Sequence, residues 1–160
     1  MAKRMTRKAM REQLYRMLFQ IEFHQREELE EQFSLFLEDM TEIIEQDREE
    51  MWEKFRGLTG CVEQLDDLIN EKASGWDVRR LPKADLTVLR LAVYEILFDE
   101  KVPAGVAVNE AVELAKQYGT DKSPRFVNGV LATIVRERTG HFVWTAAFTA
   151  CSLCSLWRNR

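Results

Sequence analysis

The chain has 160 residues, 46% hydrophobic and 31% charged, a globular mix that excludes global disorder and sets a scale of one domain or two tightly joined subdomains. Seven Gly and three Pro are too few for a sandwich of short strands and tight turns, and they suit a helical protein. The net charge of −4 hides an asymmetry: residues 1–16 carry +5, residues 22–53 carry −11 and residues 54–160 carry +2, so an acidic average does not exclude a polyanion bound on one basic face.

In chain order, Thr6 is placed to cap a first helix that the spacing predicts from Arg7 to Phe23, with Met10, Leu14, Met17, Leu18 and Ile21 on one face. A second runs from Glu27 to about Glu45, with Leu29, Phe33, Leu37 and Met40 inward and acids on the other face. A third region runs from about Asp47 to Ala73, weakened near its middle by Gly57 and Gly60. Ser74-Gly75 closes it. A fourth helix is predicted over Lys83–Phe98, a turn over Asp99–Pro103, and a fifth helix from about Val106 to Tyr118, stopping at Gly119. Ser123 as cap and Pro124 as first helical residue open a sixth that reaches about Arg138. No strand-like alternation and no repeat is visible. The pattern predicts an all-α bundle of six or seven helices, residues 1–140, split near residue 78 into halves of about 1–78 and 79–140.

His141–Arg160 is acid-free, aromatic and Ser/Thr-rich, and reads as an appendage of unknown role. Its uncharged run, Phe142–Trp157, is shorter than the roughly 20 residues that span a bilayer. No signal-type segment is present, and three Cys, at 61, 151 and 154, fit a reducing compartment, so a cytoplasmic location without membrane attachment is expected.

Catalytic chemistry is hard to find. His24 and His141 are far apart, and no H-E-x-x-H, G-x-S-x-G or P-loop occurs. No catalytic residue, metal site or cofactor is therefore expected. Cys151-Ser152-Leu153-Cys154 lacks the second pair that a zinc site needs and reads as two incidental thiols in an apolar tail. The basic start is the best chemical signal. Arg7, Lys8 and Arg11 share one side of the first helix, and Lys3 and Arg4 extend it as a mobile arm. Clustered cations gain affinity for phosphate by releasing counterions. The competing reading is a solvated face that pairs with the acidic second helix. A second patch lies at Lys122-Ser123-Pro124-Arg125-Phe126, where a helix start offers free N–H groups between two cations. Phe126 there either stacks on an unpaired base or belongs to the core. Arg90, inside an apolar stretch, calls for a carboxylate partner such as Glu95 or Glu110.

Three blocks carry a resemblance. Leu89-Arg90-Leu91-Ala92-Val93-Tyr94-Glu95, then Val102-Pro103 with Val108-Asn109-Glu110-Ala111-Val112-Glu113-Leu114-Ala115-Lys116, then Phe126-Val127-Asn128-Gly129-Val130-Leu131, resemble in order and spacing the signature of the NusB family of bacterial transcription antitermination factors. Trp76 and Arg80-Leu81 fit as well. The resemblance spans about residues 5–138, strong after 76 and loose through 25–75.

It implies a NusB-like fold of two antiparallel three-helix-type subdomains. It implies a non-enzymatic factor that binds boxA-type single-stranded RNA together with the small-subunit ribosomal protein NusE, joins the RNA polymerase antitermination complex and assists ribosomal RNA transcription. Homodimers also occur in the family. The family's basic contacts fall on Arg7 and Lys8, with Arg11 close by, and its aromatic contacts on Phe19 and Phe126. An acid before the first block falls on Asp85, as acceptor from a base or as helix cap. Lys122 stands where the family often has an acid, and Asn128 braces the helix or a base. Two rival readings are a helical RNA-targeting domain related to RNA cytosine methyltransferases, which would be followed by a cofactor-binding domain, and a structural dimerisation module.

Overall fold

The helices form where the apolar spacing places them, and local chemistry sets their ends. In the computed structural model, which describes residues 2–140, seven α-helices follow one another: α1 Arg7–Leu18, α2 Leu29–Asp39, α3 Glu45–Thr59, α4 Val62–Lys72, α5 Lys83–Phe98, α6 Ala104–Tyr118 and α7 Ser123–Gly140. Short 3-10 turns lie at Phe19–Glu22, Arg26–Glu28 and Val78–Arg80. Among the described residues the sole extended pairing is an isolated parallel bridge between Lys3 and Ile43. The fold is all-α, as the periodicity predicts. The segment His141–Arg160, with its two cysteines, lies outside the described residues.

The chain divides into two compact units, one ending at Arg56 and one beginning at Gly57. In the first, Thr6 caps α1: its Oγ1 accepts the Ala9 N–H at 3.1 Å. Met10, Leu14, Met17 and Leu18 are buried. The expected run to Phe23 stops at Leu18, where the coil tightens into the Phe19–Glu22 turn. The second helix also ends early, at Asp39 instead of about Glu45. Arg48 of α3 explains this, since its guanidinium donates to the carbonyls of Leu37 and Met40 and satisfies the helix end. The core is aromatic, with Phe33 stacked on Phe55 at 4.1 Å between centroids and on Trp52 at 5.1 Å.

The second unit begins inside α3. The break expected at Gly57 and Gly60 is there: α3 ends at Thr59 and α4 starts at Val62. Gly57 has no room for a side chain, because a Cβ would lie 2.1 Å from the Tyr94 hydroxyl. Helix α5 is the centre of this unit. Every residue from Asp85 to Ile96 is buried, as expected of a helix that is apolar nearly all round. It packs on α4, α6 and α7. Arg90 finds a carboxylate on α4: Nε and Nη2 each donate to Asp66 at 2.7 Å. That partner is 24 residues upstream, beyond the neighbours the sequence suggested. Lys72 of α4 meets Glu137 of α7 at 2.5 Å, and this bond raises the lysine pKa. These contacts tie α4 to the helices after it, within the unit that begins at Gly57. Among the described residues no helix is long and apolar enough to cross a membrane.

Candidate functional site

In the first unit, the basic arm is laid along α3. The Lys3 N–H donates to the Glu42 carbonyl at 2.9 Å. The Met5 N–H donates to Asp47 Oδ2 at 2.5 Å, and Asp47 is only 1% exposed. Arg4 donates to Gln46 Oε1 at 3.3 Å and holds its Nε 3.9 Å from Asp47 Oδ1. Arg7 pairs with Glu50 at 2.9 Å, and Lys54 reaches the same carboxylate oxygen at 3.6 Å. The expectation of a mobile arm is therefore corrected. A buried carboxylate that caps a backbone N–H holds the arm, and its acidic partners come from α3 and not from the second helix.

The cations of this unit fall into three kinds. Arg4 and Arg7 are compensated by acids. Arg11 is buried at 7% exposure. The side chains of Lys3 and Lys8 are exposed with no ion pair among the described residues. Phe19 is half-buried, with its ring 6.5 Å from Tyr15 and 5.3 Å from the exposed Phe23.

In the second unit, the start of α7 is held by close packing. Ser123 is buried, and its hydroxyl accepts the Thr120 N–H at 2.9 Å. It lies inside the helix and reaches back, instead of standing before it as a cap. Gly119 is required here, since a Cβ would sit 2.5 Å from the Ser123 Cβ and 2.7 Å from the Ala115 carbonyl. Lys122 and Arg125 are exposed, with no ion-pair partner among the described residues. Phe126 is half-buried, and its ring centroid lies 6.0 Å from that of Trp76 with the two planes at 65°. Phe126 thus sits at the margin of the core, between the two readings the sequence allowed.

Asn128 is two residues on, about 200° around the helix from Phe126, and lines a shallow groove between α6 and α7 with Val108, Val112, Ala132 and Val135. Asp85 lies in the first turn of α5, 5% exposed, with one carboxylate oxygen lacking a hydrogen-bond partner. The cap position belongs to Pro82. An anion at a helix start is favoured by the dipole, but an unpaired buried acceptor costs about 1–3 kcal/mol until a donor reaches it.

Sequence reasoning passed over Trp76 as a site residue. The available signal was its position just after Ser74-Gly75, where a helix has stopped and an aromatic has no buried face assigned to it.

An all-α scaffold that exposes cations beside a half-buried aromatic ring at the start of α7 has the surface of a helical binding factor. The chain belongs to the NusB family: the model of that family matches residues 8–136. It is 48% identical over 128 residues to the transcription antitermination protein NusB of Agathobacter rectalis, covering 80% of this chain and 98% of that protein. The structure of T. maritima NusB superposes with a TM-score of 0.78 at 37% identity, over 84% of this chain and 94% of that one. A structure of the antitermination factors NusB and NusE in complex with double-stranded RNA matches with a TM-score of 0.72 at 25% identity, over 82% and 96% of the two chains.

Proposed function

We propose that this chain is a non-enzymatic, RNA-binding transcription antitermination factor of the cytoplasm. It binds boxA-type RNA together with the ribosomal protein NusE and joins the RNA polymerase antitermination complex. Membership of a family of antitermination factors supports this, as does the similarity to a chain solved with NusE and RNA. The observation that carries it is the start of α7, where two uncompensated cations, Lys122 and Arg125, flank the half-buried ring of Phe126.

A phosphate needs the charge and a base needs the ring. In this reading Lys122 and Arg125 hold phosphates and Phe126 stacks on an unpaired base, while Asp85, its unpaired oxygen buried, serves the positive end of α5 and not a base. Lys3 and Lys8 add open charge in the first unit. Arg4 and Arg7 reach phosphate only by exchanging Asp47 and Glu50 for it. Arg11 holds structure more than ligand, Phe19 offers a second ring, and Asn128 braces α7.

Fluorescence anisotropy with a boxA-type strand and a scrambled strand, with and without NusE, tests the proposal. Tighter binding to boxA that strengthens with NusE and weakens with salt is expected. Equal binding to both strands with NusE present would sink it.

A further inference from the structure

We propose that Trp76 is a second base-stacking residue, whose exposed indole receives an unpaired base of a single-stranded RNA next to the base held at Phe126. This rests on the RNA-binding reading above and extends it to a residue that the family resemblance did not carry over as an RNA contact.

A lone exposed apolar side chain needs no explanation. Trp76 is 55% exposed, but four observations set it apart. Its ring meets Phe126 edge to face at 6.0 Å, so the two π-faces turn in different directions and can take different bases. The turn that carries it is held in a costly shape. Ser74 has φ of +25° and Gly75 of +83°, left-handed backbone that a non-glycine residue adopts only when its surroundings enforce it.

The turn is also fixed on both sides. The Trp76 N–H donates to the Ala73 carbonyl at 3.2 Å and the Val78 N–H to Asn70 Oδ1 at 3.1 Å. Asp77 accepts the Arg79 N–H at 2.9 Å and pairs with the Arg79 guanidinium at 2.7 Å. The backbone that carries the indole is thus fixed before binding, so a base stacked there need order little further main chain. Finally, Arg80 follows on the same turn, exposed and with no ion pair among the described residues, while Lys122 and Arg125 flank Phe126 in sequence. Uncompensated cations beside stacking rings make the surface that single strands require, and every base offers a π-face to it.

A purely structural role, in which Trp76 only props Phe126, must be separated from stacking. The full chain is titrated with a fluorescein-labelled boxA-type single strand as wild type, Trp76→Phe, Trp76→Leu and Phe126→Leu. In parallel, 19F NMR of 5-fluorotryptophan-labelled protein follows the Trp76 resonance, assigned by its loss in Trp76→Phe.

Trp76→Leu keeps apolar bulk against Phe126 but removes the indole. It is expected to weaken binding roughly 5- to 150-fold, the range for losing one stacked base. Trp76→Phe is expected to recover most of that loss, and the Trp76 resonance to shift on adding RNA. Wild-type affinity in Trp76→Leu, or an unmoved Trp76 resonance at saturation, overturns the proposal. If Phe126→Leu still weakens binding, the RNA-binding reading survives that result. If the wild type binds neither the single strand nor its duplex, both readings fail together. Duplex binding at equal strength and insensitive to Trp76→Leu also overturns the stacking role.

Discussion

Cations already paired inside the protein cannot contribute to RNA binding as open ones do, and the salt dependence of binding reads that difference. Lys122 and Arg125 are exposed and unpaired, whereas Arg7 holds Glu50 at 2.9 Å. Each phosphate neutralised on a single strand contributes about 0.7 to the slope of log affinity against log salt. The double variant Lys122→Ala/Arg125→Ala is expected to lower the slope by about 1.4, which corresponds to roughly 14-fold weaker binding at about 0.15 M salt relative to a 1 M reference. Arg7→Ala removes a cation that must first release a carboxylate. While Arg7 stays on Glu50 it neutralises no phosphate and releases no counterion from the RNA, so the slope of Arg7→Ala should stay close to wild type and its affinity should change about twofold or less. The converse is the stronger test. Glu50→Gln frees Arg7 and is expected to tighten binding by up to about fourfold at about 0.15 M salt, with a steeper slope by up to about 0.7. Anisotropy titrations at four or more salt concentrations give these slopes. If Arg7→Ala flattens the slope as much as Lys122→Ala alone, or if Glu50→Gln weakens binding, the division into paired and open cations is wrong.

Gly57→Ala should destabilise the fold by about 1–3 kcal/mol, although the same change in an open helix is favourable by up to about 1 kcal/mol. The cause is the Tyr94 hydroxyl 2.1 Å from the new Cβ. Urea unfolding measures it, with Tyr94→Phe expected to restore part of the loss; a stabilised Gly57→Ala would refute the packing argument. Bonding to Arg79 holds the Asp77 carboxyl at about 2, below its ordinary 3.8. A depressed carboxyl stabilises the Trp76 turn above the ordinary value and loses that contribution as pH falls through about 2. A 13C carboxyl titration should find that value, and Arg79→Ala should move it back towards 3.8; an unchanged titration would contradict the pairing. Ending the chain after Gly140 should leave a cooperatively folding bundle, because seven helices and the core that they bury lie before that point among the described residues. Loss of a cooperative denaturation transition in the shortened chain would show otherwise.

The fold was legible where one periodicity ran without competition. Met10, Leu14, Met17 and Leu18 share a face in the sequence and are buried together in the structure. Helix α5 was legible from its apolar run, and the break between α3 and α4 from its two glycines. Helix ends were less legible when a distant residue set them. Apolar spacing through Met40, Ile43 and Ile44 continues past Asp39, but Arg48 satisfies the end of α2 first. The tie between α4 and α5 was hidden for the same reason, since the Asp66–Arg90 pair joins positions 24 residues apart.

The site divides along a similar line. Residue types announced where cations and aromatics are, but not which of them are open. Arg7 and Lys8 are neighbours of like charge, and no pattern on one strand of sequence tells that Glu50 compensates the first and leaves the second exposed. Arg11 completes the same basic face on a helical wheel and is nevertheless buried. Binding a polyanion depends on charge that is uncompensated, so the effective basic surface is smaller than the +5 of residues 1–16 suggests. In the second unit the balance shifts the other way. Lys122, Arg125 and Arg80 remain open within a segment whose net charge is close to zero. The start of α7 therefore offers more usable charge per residue than the basic arm, and it sets that charge beside the Trp76 and Phe126 rings, which contact each other.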